Sequence, residues 1–120
     1  GTGAVSDAVK ASLDAYTTGT VTRLSGSDRY TTAVAISKAS FGTPANVLYI
    51  ATGASFPDAL AGAPVAGDRG APLLLVTQSA IPSSVKTELT RLKPKAIVIL
   101  GGTGAVSDAV KVALAAYLVP

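Results

Sequence analysis

The sequence lacks cysteine, histidine, methionine and tryptophan, and its aromatic residues are four tyrosines and two phenylalanines. Without cysteine there is no disulfide, so packing alone must stabilise the fold. Without histidine or cysteine, the common nucleophile–base pairs of acyl transfer and the common zinc sites are excluded. We therefore expect a chain that is not an enzyme by itself and that uses no metal and no cofactor.

Charge is also sparse. Only 14% of the residues are charged, and the formal net charge is +3. The cations are scattered and aromatic residues are few, which argues against a nucleic-acid partner. The longest apolar run, residues 71–76, is too short to span a bilayer, so we expect no membrane partner. The small positive charge permits an anionic partner without requiring one.

The most informative feature that is present is a repeat. Residues 1–16 and 102–117 are identical at 13 of 16 positions, at an offset of 101 residues. Such self-similarity is typical of a tandem array, and it predicts one full period preceded by the tail of another. We therefore expect residues 1–16 to be the last helix of a preceding repeat, 17–22 a junction, and 23–118 one complete repeat.

Hydrophobic patterning predicts the fold class. Apolar, β-branched runs occur at residues 21–24, 46–51, 72–76 and 96–100, and the last three are nearly continuous, as in parallel strands buried on both faces. Each run precedes a Gly/Ser/Thr-rich turn and a helical pattern. The alternation predicts an α/β fold: a Rossmann-like open parallel sheet of about four strands with helices on both faces.

The helical patterns lie at residues 28–41, 57–68, 82–92 and 107–118. Pro64 predicts a kink or an early end in the second of them, and Ser107 is a candidate N-cap of the last. The last helix carries an apolar stripe that includes Val106, Ala109, Val110, Ala113 and Leu114, and residues 1–16 carry its counterpart. Two near-identical helices therefore compete for one groove, and the first is a candidate for docking against a neighbouring copy.

Two catalytic or cofactor patterns are incomplete. Residues 102–104 read Gly-Thr-Gly, but the dinucleotide pattern G-x-G-x-x-G needs a third glycine where Ser107 stands, so a tight turn is the favoured interpretation. Asp28 and Asp58 could form the carboxylate pair of a glycosidase, although each more simply caps a helix.

The most specific string is residues 23–30, which read Arg-Leu-Ser-Gly-Ser-Asp-Arg-Tyr at a strand-to-helix turn. One interpretation is a site for anions or sugar hydroxyls at the carboxyl ends of the strands, where open α/β sheets bind ligands. The other is an Arg–Asp ion pair that holds the turn, with Tyr30 packed on the sheet. Both interpretations stay open at this point.

Residues 23–33 resemble the opening motif of the cell wall-binding repeat type 2 family. Further matches follow in family order at residues 51–53 with 56–60, 72–76, and 99–102 with 106–107. The resemblance covers residues 23 to about 117. It implies a Rossmann-like, non-catalytic module of secreted Gram-positive surface proteins, usually present as three tandem repeats that pack as a pseudo-threefold trimer. It also implies non-covalent tethering to anionic cell-wall polymers of the teichoic-acid type.

The resemblance also implies site residues. Pro72, Leu73, Leu74 and Leu75 match the motif associated with polymer binding, and we expect them to shape the site while the next turn lies nearer the polymer. The complete candidate ligand-binding set is Arg23, Ser27, Arg29, Tyr30, Asp58, Pro72, Leu73, Leu74, Leu75, Thr77 and Gln78. We expect a lone repeat to self-associate as a homotrimer at the cell surface. The alternatives are a nucleotide-binding or wall-glycan-cleaving enzyme domain and a purely structural repeat.

Overall fold

The computed structural model describes residues 1–120, except for the side chain of Phe56. Its sheet contains strands β1 (Leu48–Thr52), β2 (Leu73–Val76) and β3 (Ile97–Ile99). The order is β2-β1-β3, and β1 pairs in parallel with both neighbours. Because all three strands run the same way, their carboxyl ends open at one edge of the sheet.

The described residues form five helices, and the order of the elements confirms the predicted alternation from residue 28 onward. They are α1 (Asp7–Leu13), continued by a 3₁₀ turn at Asp14–Tyr16, then α2 (Arg29–Ser40), α3 (Phe56–Asp68), α4 (Ser83–Leu92) and α5 (Asp108–Ala115). In the described part of the chain, no helix combines the length and apolar character needed to cross a membrane.

Apolar side chains are buried on both faces of the sheet. Leu48, Ile50, Leu74 and Val76 point to the larger core, which α2, α4 and α5 complete. Tyr49 points to the opposite face and joins a smaller core with residues of α3. This two-sided cover explains why the strands are nearly continuous apolar runs, and it confirms the predicted helices on both faces.

The predicted first strand, residues 21–24, is wrong. This segment has no regular secondary structure, so the sheet contains three strands rather than about four. Leu24 is 41% exposed, since no sheet edge or helix covers it. β-branched residues favour a strand only where a partner strand supplies the hydrogen bonds and a packing surface.

Two predicted helix details also differ from the structure. Helix α3 does not end early at Pro64 but continues to Asp68, because Pro64 lies on the exposed side and the carbonyl it deprives of a donor, that of the exposed Leu60, can bind water. In α5, Ala109 and Ala113 are exposed rather than part of the buried stripe, which narrows to Val110 and Leu114. Ser107 caps α5 as predicted, since its hydroxyl accepts the Val110 amide at 3.3 Å.

A buried carboxylate joins α4 to α2. Glu88 is fully buried, and its carboxylate accepts hydrogen bonds from the Ser37 hydroxyl at 2.6 Å and from the Arg91 guanidinium at 2.6 and 2.9 Å. Arg91 also donates to the carbonyl of Phe41 at 3.1 Å. Burial alone would raise the pKa of Glu88, but the hydrogen bonds from Arg91 and Ser37 outweigh it, so this pKa lies below its usual value.

We predict that Glu88→Gln lowers the free energy of unfolding by about 2–3 kcal/mol, because it removes the buried charge that pairs with Arg91. The loss is moderate because one third of the Arg91 side chain is exposed to water. The folded-state pKa is depressed, so the stabilisation is complete above the unfolded value near 4.5 and is lost as pH falls through the folded value. Urea unfolding across this acid range should therefore show a shallower pH dependence in the variant. Lys86→Gln, at an exposed position of the same helix, is the matched control. Equal slopes for wild type and Glu88→Gln would contradict the assignment.

Candidate functional site

The turns that follow the three strands meet at the carboxyl edge of the sheet. The amide of Gly53, after β1, donates to the carbonyl of Val76 at the end of β2, at 2.8 Å. On the other side, the amide of Leu100, after β3, donates to the carbonyl of Ile50, at 2.8 Å. Open parallel sheets bind their ligands at this edge, so we call this row of turns the carboxyl edge.

Arg29 reaches the carboxyl edge from the first turn of α2. Asp28 caps this helix by accepting the Thr31 amide at 2.7 Å and the Thr31 hydroxyl at 2.8 Å. These bonds from Thr31 lower the pKa of Asp28 and keep its carboxylate charged at the helix N-terminus. The cap fixes the direction of Arg29, whose exposed guanidinium donates to the carbonyl of Gly53.

Tyr30 packs beneath this contact. A Cβ atom at Gly53 would lie 2.6 Å from Cε1 of the tyrosine ring, so only glycine lets the ring pass so close to the strand end. The ring packs against the larger core and is half-buried. This arrangement agrees with the packing interpretation of Tyr30, while its role in ligand binding stays a prediction.

Asp58 approaches the carboxyl edge from α3. A Cβ atom at Gly101 would lie 2.5 Å from its Oδ2 atom, and Gly101 has a φ of +98°, so glycine is required there twice over. The expectation that Asp58 caps a helix is wrong, because the N-cap position of α3 is Ser55. The carboxylate of Asp28 is held by Thr31 in the cap of α2, so the structure gives no support to a glycosidase pair.

The turn after β2 is tied to the segment before α5. The hydroxyl of Thr77 accepts the Ala80 amide at 2.9 Å, which closes the turn. The carbonyl of Gln78 accepts the Ser107 amide at 2.9 Å, and the side-chain amide of Gln78 donates to the carbonyl of Thr103 at 3.5 Å. Residues 102–105 form a turn rather than the first turn of a helix, in agreement with the turn interpretation of Gly-Thr-Gly.

The side chain of Arg23 points to α1. Its guanidinium pairs with Asp7 of α1 at 3.1 Å, not with Asp28 as the ion-pair interpretation of the turn proposed. Asp7 is 79% exposed, so this pair contributes little to stability. Ser27 is exposed on the turn that leads into α2. The sequence could not reveal the Arg23 partner, because the two residues are brought together only by the position of α1.

The predicted polymer motif is mostly covered. Pro72 and Leu74 are buried, whereas Leu73 and Leu75 are half-buried and point into an apolar groove of about 390 Å³ between α2 and α3. Exposed Ile36 and Leu60, at 44% and 67%, lie on its rim. The sequence patterns did not predict this groove, although the apolar residues on the outer faces of α2 and α3 are its signal. We call it the β2 groove.

Within the described residues, no group of three or more acidic side chains could hold a metal ion. The polar groups described above at the carboxyl edge include the exposed guanidinium of Arg29, the carboxylate of Asp58, the hydroxyl of Thr77 and the side-chain amide of Gln78. This set can bind anions and hydroxyl groups through hydrogen bonds.

Comparison with known proteins gives a consistent match. Residues 23–111 match the family called cell wall binding domain 2, CWB2. The chain is 42% identical over 88 residues to the N-acetylmuramoyl-L-alanine amidase LytC of Bacillus subtilis (strain 168). The aligned region covers 73% of this chain and 18% of the amidase. It is 35% identical over 111 residues to the amidase enhancer of the same organism, covering 92% of this chain and 14% of that protein.

Two solved structures share the fold. Cwp8 from Clostridium difficile superposes with a TM-score of 0.72 at 34% identity, over 78% of this chain and 17% of that one. Cwp6 from Clostridium difficile gives a TM-score of 0.72 at 31% identity, over 84% of this chain and 18% of that one. The chain thus spans less than a fifth of the length of each of these relatives.

We predict that Gly53→Ala lowers the free energy of unfolding by about 1–3 kcal/mol. The new methyl group would overlap the Tyr30 ring, so the ring or the strand end would have to shift. Gly104→Ala is the matched control, since a Cβ atom there meets nothing within 4 Å. Urea unfolding of both variants measures the difference. Equal stability of the two variants would show that the Tyr30 ring is not held against the strand end.

Proposed function

Because the chain belongs to the cell wall binding domain 2 family, we propose that it tethers a secreted surface protein non-covalently to anionic wall polymers of the teichoic-acid type. The family is one of binding modules, and LytC is an amidase of which this chain matches less than a fifth. The chain accordingly binds the wall and leaves catalysis to other domains.

The observation that carries this proposal is the placement of Arg29. Its guanidinium is exposed at the carboxyl edge and is held there by the Asp28 cap and the Gly53 carbonyl. A planar guanidinium suits the phosphate groups of such polymers, and anchoring it in advance reduces the side-chain entropy lost on binding. Exposed Ser27 and Gln78 supply hydrogen-bonding groups for sugar or polyol hydroxyls, while the leucines of β2 support the turn from below.

A single shallow site of this kind binds weakly, so several copies are needed along one polymer. Linking sites raises the effective concentration of each further site without any new contact. The apolar β2 groove favours a neighbouring repeat as its cover, since Ile36 and Leu60 leave water only when another surface packs on them. We therefore include a tandem or homotrimeric arrangement in the proposal.

A purely structural repeat is the second candidate. Arg29, Asp58 and Gln78 each approach or bond a neighbouring turn, and Thr77 closes its own turn, so all four could serve only to hold the carboxyl edge together. Wall binding would then belong to another repeat of the parent protein. The enzymatic alternative has less support, because the Asp28 carboxylate is held in a helix cap and the glycine-rich turn lacks the third glycine.

We predict that Arg29→Gln weakens retention on purified cell walls at least about fivefold in a sedimentation assay, about the effect of losing one charge-assisted contact. Arg69→Gln is the matched control, since Arg69 is exposed at the opposite end of β2. Walls stripped of their anionic polymers should retain neither wild type nor control. Undiminished retention of Arg29→Gln, with normal unfolding, would favour the structural repeat, and nucleotide binding without wall binding would favour the enzyme.

We predict that the isolated chain forms trimers as its concentration rises, and that Leu60→Asp shifts the equilibrium to smaller species by placing a charge on the β2 groove. Lys86→Gln, on the exposed side of α4, should leave the mass distribution unchanged. Multi-angle light scattering measures both. A wild-type chain that stays monomeric at millimolar concentration would contradict the trimer.

A further inference from the structure

The two copies of the repeated segment have the same local structure. Ser6 caps α1 by accepting the Val9 amide at 3.2 Å, as Ser107 caps α5 through Val110 at 3.3 Å. The turns before the helices match as well, since the carbonyl of Gly1 accepts two amides, at 3.1 and 3.2 Å, and its counterpart in the second copy accepts two at 2.9 and 3.1 Å. The helix and its cap are therefore properties of the segment itself.

The tertiary surroundings of the two copies are opposite. In α5 and the turn before it, the stripe residues Val106, Val110 and Leu114 are 4%, 2% and 2% exposed, whereas their counterparts Val5, Val9 and Leu13 are 44%, 51% and 46% exposed. Tyr16 is 88% exposed, while its counterpart Tyr117 packs against the larger core. In the described part of the chain, α1 packs on no strand and on no helix apart from its own 3₁₀ continuation.

The residues that differ between the copies do not affect the buried contact. The three differing positions of the second copy are Val112, Ala113 and Ala115, and all three are exposed. Every side chain that α5 buries therefore recurs in the first copy at the same helical position. The groove under α5 accepts this stripe in the structure, so it would accept the stripe of α1 equally well.

The residues after α5 indicate which further contact the first copy would make if α1 took the place of α5. The Val119 amide donates to the carbonyl of Pro94 at 3.0 Å, so the chain after α5 returns to the segment just before β3, which is an edge strand. At the repeat offset of 101 residues, Thr18 is the counterpart of Val119. Residues 20–24 therefore follow α1 at the same position in the chain at which a strand beside β3 would follow α5. A β-α-β crossover places such a strand parallel to β3, and a free edge favours the pairing.

We infer that residues 1–24 are an exchangeable arm: α1 of one copy occupies the α5 groove of a second copy, and residues 20–24 pair with the β3 edge of that copy. Replacing α5 by α1 changes no buried side chain, so the helix exchange is close to neutral in free energy. Pairing residues 20–24 with β3 adds backbone hydrogen bonds that the single chain lacks, which favours exchange as concentration rises. This contact is separate from the β2 groove and does not depend on wall binding.

Cysteine trapping tests the exchange, because the chain has no cysteine of its own. Thr103 accepts the hydrogen bond from Gln78 within one chain, and its counterpart is Thr2. Gln78→Cys mixed with Thr2→Cys should give a mixed disulfide dimer under mild oxidation. The positive control is Gln78→Cys with Thr103→Cys in one chain, and the negative control is Gln78→Cys mixed with Thr90→Cys, an exposed position of α4. A mixed dimer no more abundant than the negative control would overturn the exchange, as would a purely intrachain disulfide in a Thr2→Cys, Gln78→Cys double variant.

A charge on the stripe tests the same contact without cysteine. Val9→Asp with Leu13→Asp should weaken the association seen by light scattering at least about tenfold, since two buried apolar contacts become unpaired charges. Folding should be unaffected because α1 buries no side chain in its own chain. Ala11→Asp with Ser12→Asp, whose counterparts are exposed, should change the association less than about twofold. Equal effects of the two double variants would overturn the inference, and neither variant alters the groove that the trimer uses.

Discussion

The rest of the structure depends on the complete burial of β1. All five of its residues are buried, and Leu48, Ile50 and Ala51 have no exposed surface. Its backbone pairs with β2 on one side and with β3 on the other, while helices cover both of its faces. A strand in this position carries only side chains that tolerate the loss of water. The groups of the sheet that could bind a ligand are therefore expected in the turns at the ends of its strands.

The carboxyl edge is built from this constraint with very small residues. Gly53 follows β1 directly and Gly101 lies two residues after β3, and their missing side chains leave room for the Tyr30 ring and the Asp58 carboxylate. A chain without cysteine and with few aromatics has no large or covalent means of fixing such turns. Close backbone approach and hydrogen bonds between the turns take over that role, so polar residues of the edge, such as Arg29 and Gln78, bond to neighbouring turns.

Much of the fold was predictable from the sequence, and the errors have physical causes. β1, β2 and β3 were predicted because their apolar runs reflect burial on two faces, and α2 was predicted with its cap because Asp28 acts on an amide three residues away. Residues 21–24 look equally strand-like, but a strand needs an edge to pair with. Arg29 and Asp58 were named as site residues, yet their neighbours Gly53 and Gly101 were not, because such approaches depend on how α2 and α3 cross the strand ends.

The two copies of the repeated segment separate local from tertiary causes within one molecule. By itself the sequence determined the serine cap, the helix that follows and the apolar stripe along it, since these features recur in both copies. The tertiary structure alone decided which stripe is buried: Val110 is 2% exposed and Val9 is 51% exposed. Hydrogen bonds of a helix and its cap close within a few residues, so identical segments form them identically. Burial needs a surface from elsewhere in the chain, and β3 with its neighbours supplies that surface once.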